Sequence, residues 1–393
     1  MLRFTTAGES HGPALVSILE GAPAGIPLSR SDIDAQLVRR QHGYGRGRRM
    51  QIEQDSVELL SGVRAGSTIG SPVAMLIRNR DWENWKDVMA PEADEPGTDP
   101  RRRAVTRPRP GHADLPGMLK YDREDARDIL ERASARETTA RVAAGAICRK
   151  LLAELGITIG SHLVELGGIE AMVPAELPED LNGVADASPL RTLDKTAESR
   201  MIALIDEVKR EGDTLGGVCE VVCIGLPIGL GSHVSWDRKL DGRIAGAMMS
   251  IHAVKGVGIG IGFEAARRRG SEVHDQIRGS GDDRARGNLF RTSNRAGGIE
   301  GGITNGEPLV VQVAMKPIST LMRPLETVDM KTGETASAVA ERSDVTAVPA
   351  MGVIAEAMLA FVVAQAVMEK FGGDSLGELK RNLDGYLGQI ARS

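Results

Sequence analysis

Cysteine is scarce in this chain. Cys148, Cys219 and Cys223 are the only three in 393 residues. They are too few for a disulfide framework and lack the CxxC spacing or histidine pattern that ligates zinc. A reducing cytoplasm is the setting this implies. Aromatic residues make up 3% of the chain, against 41% hydrophobic and 26% charged, the profile of a soluble globular protein. The opening Met1-Leu2-Arg3-Phe4-Thr5 has no apolar core of the kind a signal peptide needs. No run approaches the ~20 apolar residues that span a bilayer, so no membrane partner is expected. Excess positive charge is also missing: the formal net charge is −5, which argues against nucleic-acid binding. No Gly-Lys-Ser/Thr occurs, so there is no Walker A loop. Gly256-Val257-Gly258-Ile259-Gly260 has no βαβ context, which excludes a Rossmann reading.

Glycine, in contrast, is abundant: 47 of 393 residues, about 12% against an average of ~7%. The glycines are spread among apolar segments, as turns and close backbone contacts. The arginines are bunched, which favours a local anion site over a global field. The stretch around which the chain is organised is Arg107-Pro108-Arg109-Pro110-Gly111-His112-Ala113-Asp114, running on to Lys120 and Tyr121. Its prolines fix φ and remove donors, predicting a stiff extended loop. An imidazole on a rigid loop among fixed cations suits proton transfer on an anionic substrate. The alternative is a solvated basic turn.

The order of elements reads as mixed α and β. Strands are predicted at 2–6, 14–19, 51–60, 73–77, 157–166, 215–228, 255–263 and 308–315. Helices are predicted at 31–40, 124–155, 198–209, 240–251, 356–371 and 376–390, the first capped by Ser29 or Ser31. The alanines of 124–155 predict close packing inside the protein. Residues 81–103 read as a surface excursion and 267–291 as a charged loop. No repeat, regular βαβ unit or clear linker is visible, so an α+β fold in one domain spanning 1–393 is expected.

Other motifs have paired readings. Gly8-Glu9-Ser10-His11-Gly12 sets a hydroxyl beside an imidazole at a strand end; it is a site or a structural turn, and a serine-hydrolase reading is set aside. Arg39 to Arg49 holds five arginines and three glycines in eleven residues. Guanidinium forks bind phosphate or carboxylate, and glycines let backbone N–H groups approach the same anion; the alternative is a solvated basic loop. Arg132 and Arg136 share a face of the long helix at i,i+4, around an anion or with Glu137 as partner. Residues 297–306 form a ligand-contacting loop or a tight hairpin. Lys316-Pro317-Ile318-Ser319-Thr320 is a plausible phosphate cradle, and Glu341-Arg342-Ser343-Asp344 sets carboxylates beside a cation.

Together these stretches resemble one family, chorismate synthase, from Arg3 to about Phe361. The resemblance rests on GESHG at 8–12, RRQHGYGRGRRM at 39–50, RPGHAD at 109–114, RASARETTARVAAGA at 132–146, GDTLGG at 212–217, NRAGGIEGGITNG at 294–306, KPIST at 316–320 and ERSDVTAVPA at 341–350. It implies a β-α-β sandwich with a helical layer between antiparallel sheets, and a homotetramer. It implies a lyase that converts 5-enolpyruvylshikimate 3-phosphate to chorismate by 1,4-elimination with reduced FMN, the last step of the shikimate pathway. NADPH enters, where it enters at all, only as a reductant, and with no added reductase domain in view an outside reductant is favoured. By the same resemblance His11 lies near the departing phosphate, His112 near the reduced flavin, and Asp344 acts with Ser10 at the flavin. Arg40, Arg46 and Arg49 are the substrate-anion set, with Arg48 interchangeable with its neighbours. Arg132, Ala133, Ser134, His252, Ala253, Gly302, Lys316, Pro317, Ile318, Ser319, Thr320 and Arg342 match flavin-contacting positions. His252 is a departure, since many members carry asparagine or glutamine there. Two other classes compete: a flavin-dependent oxidoreductase on another anion, which would show net redox change, and a non-enzymatic anion-binding protein, which would bind no flavin.

Overall fold

A computed structural model describes residues 1–47, 54–92, 101, 103–279, 289–339 and 344–391. Arg48, Arg49 and Arg342, and parts of the 81–103 and 267–291 stretches, lie outside them.

Two antiparallel sheets flank a layer of helices. The first sheet has four strands in the order Arg3–Ala7, Ala14–Glu20, Val73–Arg78, Val57–Leu59. Its Ala14–Glu20 strand alternates buried and half-buried residues, so Leu15 and Leu19 reach the core while the intervening side chains face the other way. The second sheet has five strands in the order Val254–Ile259, Leu309–Met315, Gly217–Ile224, Thr158–Leu166, Ile169–Glu170. The helices Arg30–Gln41 and Thr138–Ala153 pack on the first sheet, and Val348–Phe371 packs between Thr138–Ala153 and the second sheet. The architecture is α+β, as the order of elements predicted, with helices between antiparallel sheets, as the family resemblance implied.

Val348–Phe371 buries 19 of its 24 residues, the mark of a helix surrounded by protein. It begins eight residues before the expected Glu356, because Pro349 suits the first turn of a helix and does not break it. Contrary to the sequence expectation it is long and apolar enough to cross a membrane, yet 83% of its most apolar stretch is buried inside the fold. It crosses Thr138–Ala153 at Gly145, where an added Cβ would lie 2.5 Å from Ala357 Cβ. The small residues in 138–153 therefore do what their abundance suggested: they let two helix backbones approach closely.

The expected single helix over 124–155 is not formed. A short helix covers Arg127–Leu130, Ser134 turns extended and caps Arg136 N, and the long helix starts only at Thr138. Serine competes for its own backbone in this way. Arg132 and Arg136 consequently do not share a helix face. The other correction concerns 42–47, expected to be an unpacked loop. Tyr44 N donates to Pro189 O at 2.8 Å, its hydroxyl to Asp206 at 2.9 Å, and Val345 N to Gly45 O at 2.8 Å. A Cβ at Gly45 would meet Ile205 and Thr346 at 3.2 Å, so this half of the loop is fastened to the body.

Candidate active site

The turn joining the first two strands is built to present Ser10 and His11. Gly8 has φ 102°, and a Cβ there would lie 2.3 Å from Ala14 O, so only glycine fits. Asn79 Nδ2 donates to Glu9 O at 3.1 Å and Gly12 O at 2.7 Å, pinning the turn from below. The Gly-x-Ser-x-Gly spacing is that of a nucleophile elbow, but the turn joins two strands and not the strand and helix an elbow needs. Ser10 is buried and accepts from Ser134 Oγ at 3.0 Å. The imidazole of His11 is held by Glu131, both carboxylate oxygens lying 2.9 Å from Nδ1. Its ring stacks on Trp85 with centroids 3.9 Å apart. Burial, the largest single influence, would raise the Glu131 carboxyl, but the hydrogen bonds and charge of His11 together with the charge of Arg127 outweigh it and leave the group below its ordinary value.

His112 stands on the loop read from its prolines. Gly111 has φ 77°, and its carbonyl accepts from Lys316 Nζ at 2.7 Å. Asp114, fully buried at the start of helix Asp114–Tyr121, lies 2.5 Å from His112 Nδ1 and also accepts from Arg109 Nε at 2.9 Å. Burial would raise Asp114; its bonds to His112 and Arg109 prevail and hold it well below the carboxylate range. Arg109 continues to Thr320 Oγ1 at 3.1 Å, so the His112 loop and the 316–320 run are one unit.

Arg40 is delivered from helix Arg30–Gln41, where it falls on the buried stripe of Ile33 and Leu37. Its Nε donates to Thr138 Oγ1 at 3.0 Å and Nη2 to Ala135 O at 2.9 Å. Nη1 makes no hydrogen bond among the described residues and lies 3.6 Å from Asp55. Burial pushes its guanidinium down to about 9, so it stays charged at neutral pH. Arg46 lies 3.3 Å from Asp344, which also accepts from Gly47 N at 2.6 Å.

These groups line one cavity of about 760 Å³, within the ~300–1,000 Å³ typical of ligand sites. Ser10, His11, Arg40, Arg46, His112, Ala133, Ser134, His252, Ala253, Lys316, Ile318, Ser319, Thr320 and Asp344 all face it. Arg132, Pro317 and Gly302 do not. Arg132 donates to Thr6 O and Gly8 O, both at 3.0 Å, and lines a separate open groove. Gly302 sits in a tight hairpin, its carbonyl accepting from Leu240 N at 3.0 Å. Sequence reasoning missed Glu131, Asp55, Asn79 and Trp85, whose partners are distant in the chain and announced by no local spacing.

The lining is strongly cationic for a chain of net charge −5: Arg40, Arg46, Arg109, Arg136, Lys255 and Lys316 against the single carboxylate of Asp344 among the described residues. His252 Nδ1 is buried with no hydrogen-bond partner among the described residues. Burial lowers that imidazole below its ordinary value, Glu137 offsetting part of the shift, so it is neutral near pH 7. Next to it Ala253 is held at φ 65°, a conformation an alanine avoids unless its surroundings impose it.

A cationic cavity with two carboxylate-held imidazoles has the make-up of an enzyme site suited to an anionic ligand, in an α+β fold of helices between antiparallel sheets. A family model described as Chorismate synthase matches residues 2–368. The chorismate synthase of Symbiobacterium thermophilum is 59% identical over 396 residues, covering all of both chains. That of Geobacter sulfurreducens is 57% identical over 390 residues, covering 98% of each. A solved structure, "Crystal Structure of Chorismate Synthase", is 45% identical, covers 100% of this chain and 99% of its own, and superposes with a TM-score of 0.79. The chain belongs to the chorismate synthase family.

Proposed function

We propose that this enzyme forms chorismate from 5-enolpyruvylshikimate 3-phosphate, acting as one catalytic domain in a cytoplasmic homotetramer. Phosphate leaves C3 with its bonding electrons, a proton leaves C6, and a second ring double bond forms, so there is no net oxidation. The observation that carries the reading is the meeting of Arg40, Arg46, His11 and His112 around one cavity. A substrate with one phosphate and two carboxylates needs cations where it binds, and a chain of net negative charge has gathered them here.

The buried His252 Nδ1, which has no hydrogen-bond partner among the described residues, and the 316–320 run with its Lys316 cation fit a flat, phosphorylated cofactor. Ala133, Ser134, His252, Ala253, Lys316, Ile318, Ser319 and Thr320 would hold reduced FMN; Pro317 and Arg342 join them by resemblance only. Reduced FMN, when bound, would lend electron density as the phosphate departs and recover it as the unactivated C6 hydrogen leaves. The chain's own residues do the rest. Arg40 and Arg46, with Arg48 and Arg49 by resemblance, bind the substrate's anionic groups and oppose the charge that develops on the departing phosphate. His11 passes a proton to that phosphate, a role worth ~10²–10⁴-fold. His112, fixed by Asp114, governs the proton at the cofactor face, and Asp344 acts with Ser10 at the flavin.

The test is an anaerobic assay with substrate and chemically reduced FMN. Stoichiometric phosphate and chorismate without consumption of reductant support the reading. Consumption of reductant in step with product points to an oxidoreductase, and no flavin binding even with substrate present sinks both.

A further inference from the structure

The clamp on His11 carries a role of its own. Glu131 holds the turn twice: its carbonyl accepts from Ser10 N at 2.9 Å, and its carboxylate accepts from His11 N at 2.9 Å as well as facing Nδ1. The carboxylate is 1% exposed. A group so placed and ionised is acceptor-only, so the proton of the facing nitrogen must sit on Nδ1. The Trp85 ring, inclined 23° to the imidazole, fixes the ring plane. With Nδ1 committed and the plane fixed, Nε2 is the nitrogen left to exchange a proton in the cavity.

We infer that Glu131 is a positioning residue that sets the tautomer and orientation of His11, making Nε2 its working atom. This rests on the catalytic reading of His11. The pairing differs from that of His112. Asp114 is also taken by Arg109 through its backbone N, Nε and Nη2, at 3.1, 2.9 and 3.2 Å. The only other cation on Glu131 among the described residues is Arg127, at 3.4 Å. Glu131 therefore keeps more of its charge for the imidazolium that forms when His11 takes up a proton.

The experiment compares wild type, H11A, E131A, E131Q and the double variants H11A/E131A and H11A/E131Q, as intact chains with reduced FMN and substrate, reading kcat and KM separately. E131A is expected to lower kcat by ~10²-fold with KM changed by less than about threefold, as loss of an orienting carboxylate does. E131Q keeps an oxygen for Nδ1–H and should lose only about tenfold. Neither double variant should be slower than H11A by more than about threefold, because residues acting as a unit are non-additive. Should E131A fail to fold, E131Q and its double variant decide. A slow H11A beside wild-type kcat in E131Q and in any E131A that folds overturns the positioning role alone, as do losses that multiply in the doubles. Wild-type activity in H11A overturns the catalytic reading of His11, and Glu131's role with it.

Discussion

Asp114 Oδ1 lies 2.5 Å from His112 Nδ1, with Arg109 bonded to the same carboxylate. The pair is two residues apart in a loop stiffened by Pro108 and Pro110, so the backbone itself sets the distance. A carboxylate in that position fixes which ring nitrogen carries the proton. Asp114→Asn should leave substrate binding nearly unchanged and lower kcat by at least tenfold, because an amide can present N–H to a nitrogen that needs an acceptor. Equal kcat in wild type and variant, measured under single turnover, would show that Asp114 only anchors the loop.

Gly145 supports a prediction about packing. A Cβ there would lie within 2.7 Å of Ala357 Cα and O, and neither backbone can yield. Gly145→Val should lower stability by about 1–3 kcal/mol, the usual cost of overpacking. It should do so without changing the charge or hydrogen bonding of the cavity. Thermal melts of the apo protein would read it, and an unchanged melting temperature would mean that the two helices separate freely.

Much of this arrangement was legible along the chain, and the reasons are local. Leu376–Ile390 has an unbroken amphipathic pattern with Ser375 as cap, and its expected bounds hold. Ser29 and Asp32 form a capping box that marks the start of Arg30–Gln41. The His112 loop followed from its prolines. What could not be read depends on contacts between distant residues. Glu131 meets His11 across 120 residues, and a glutamate before an arginine looks like any helix surface. The break at Ser134 was hidden because the alanine-rich run on both sides of it satisfies helix periodicity equally well. Arg132 sits in the matching motif, yet its side chain turns to the Thr6 and Gly8 carbonyls; spacing alone does not tell which way a side chain turns.

Glu356 gives a pH prediction. This carboxylate, fully buried on the central helix, accepts from Arg39 at 2.7 and 3.0 Å, Arg149 at 2.7 Å, Arg191 at 2.9 Å and Ser161 at 2.6 Å. Burial would raise it, but the three arginines win and bring it down to about 2 from an ordinary 4.5. A carboxyl lowered on folding stabilises the native state above its unfolded value and loses that contribution as pH falls toward the folded one. Its contribution, on the order of 3 kcal/mol, should be constant above about pH 5 and disappear between about 4.5 and 2. Glu356→Gln should cost about 3–5 kcal/mol at neutral pH by leaving the arginines short of charge. It should also flatten the acid limb of stability. Denaturant titrations from pH 7 to 3 measure both, and an acid limb as steep in the variant as in wild type would remove Glu356 from the account.

His252 offers the most direct reading of the cofactor proposal. Its Nδ1 is buried and unpaired in the ligand-free chain, and an unpaired buried polar group costs ~1–3 kcal/mol. Burial keeps the ring neutral, so it can meet either a donor or an acceptor on a ligand. Ala253, strained at φ 65°, accepts from Lys316 N at 3.0 Å, which ties the imidazole to the 316–320 run. If the nitrogen is reserved for reduced FMN, His252→Ala should leave the ligand-free protein as stable as wild type or slightly more so. The same change should weaken FMN binding by roughly 5–150-fold, the binding equivalent of that unmet bond. His252→Asn, which restores a polar group, should recover much of the affinity. Melting temperatures with and without reduced FMN separate the two effects, because a ligand that binds only the folded state raises stability by an amount that grows with the logarithm of its affinity. The same FMN-induced shift in His252→Ala as in wild type would mean that the nitrogen is not part of the flavin site.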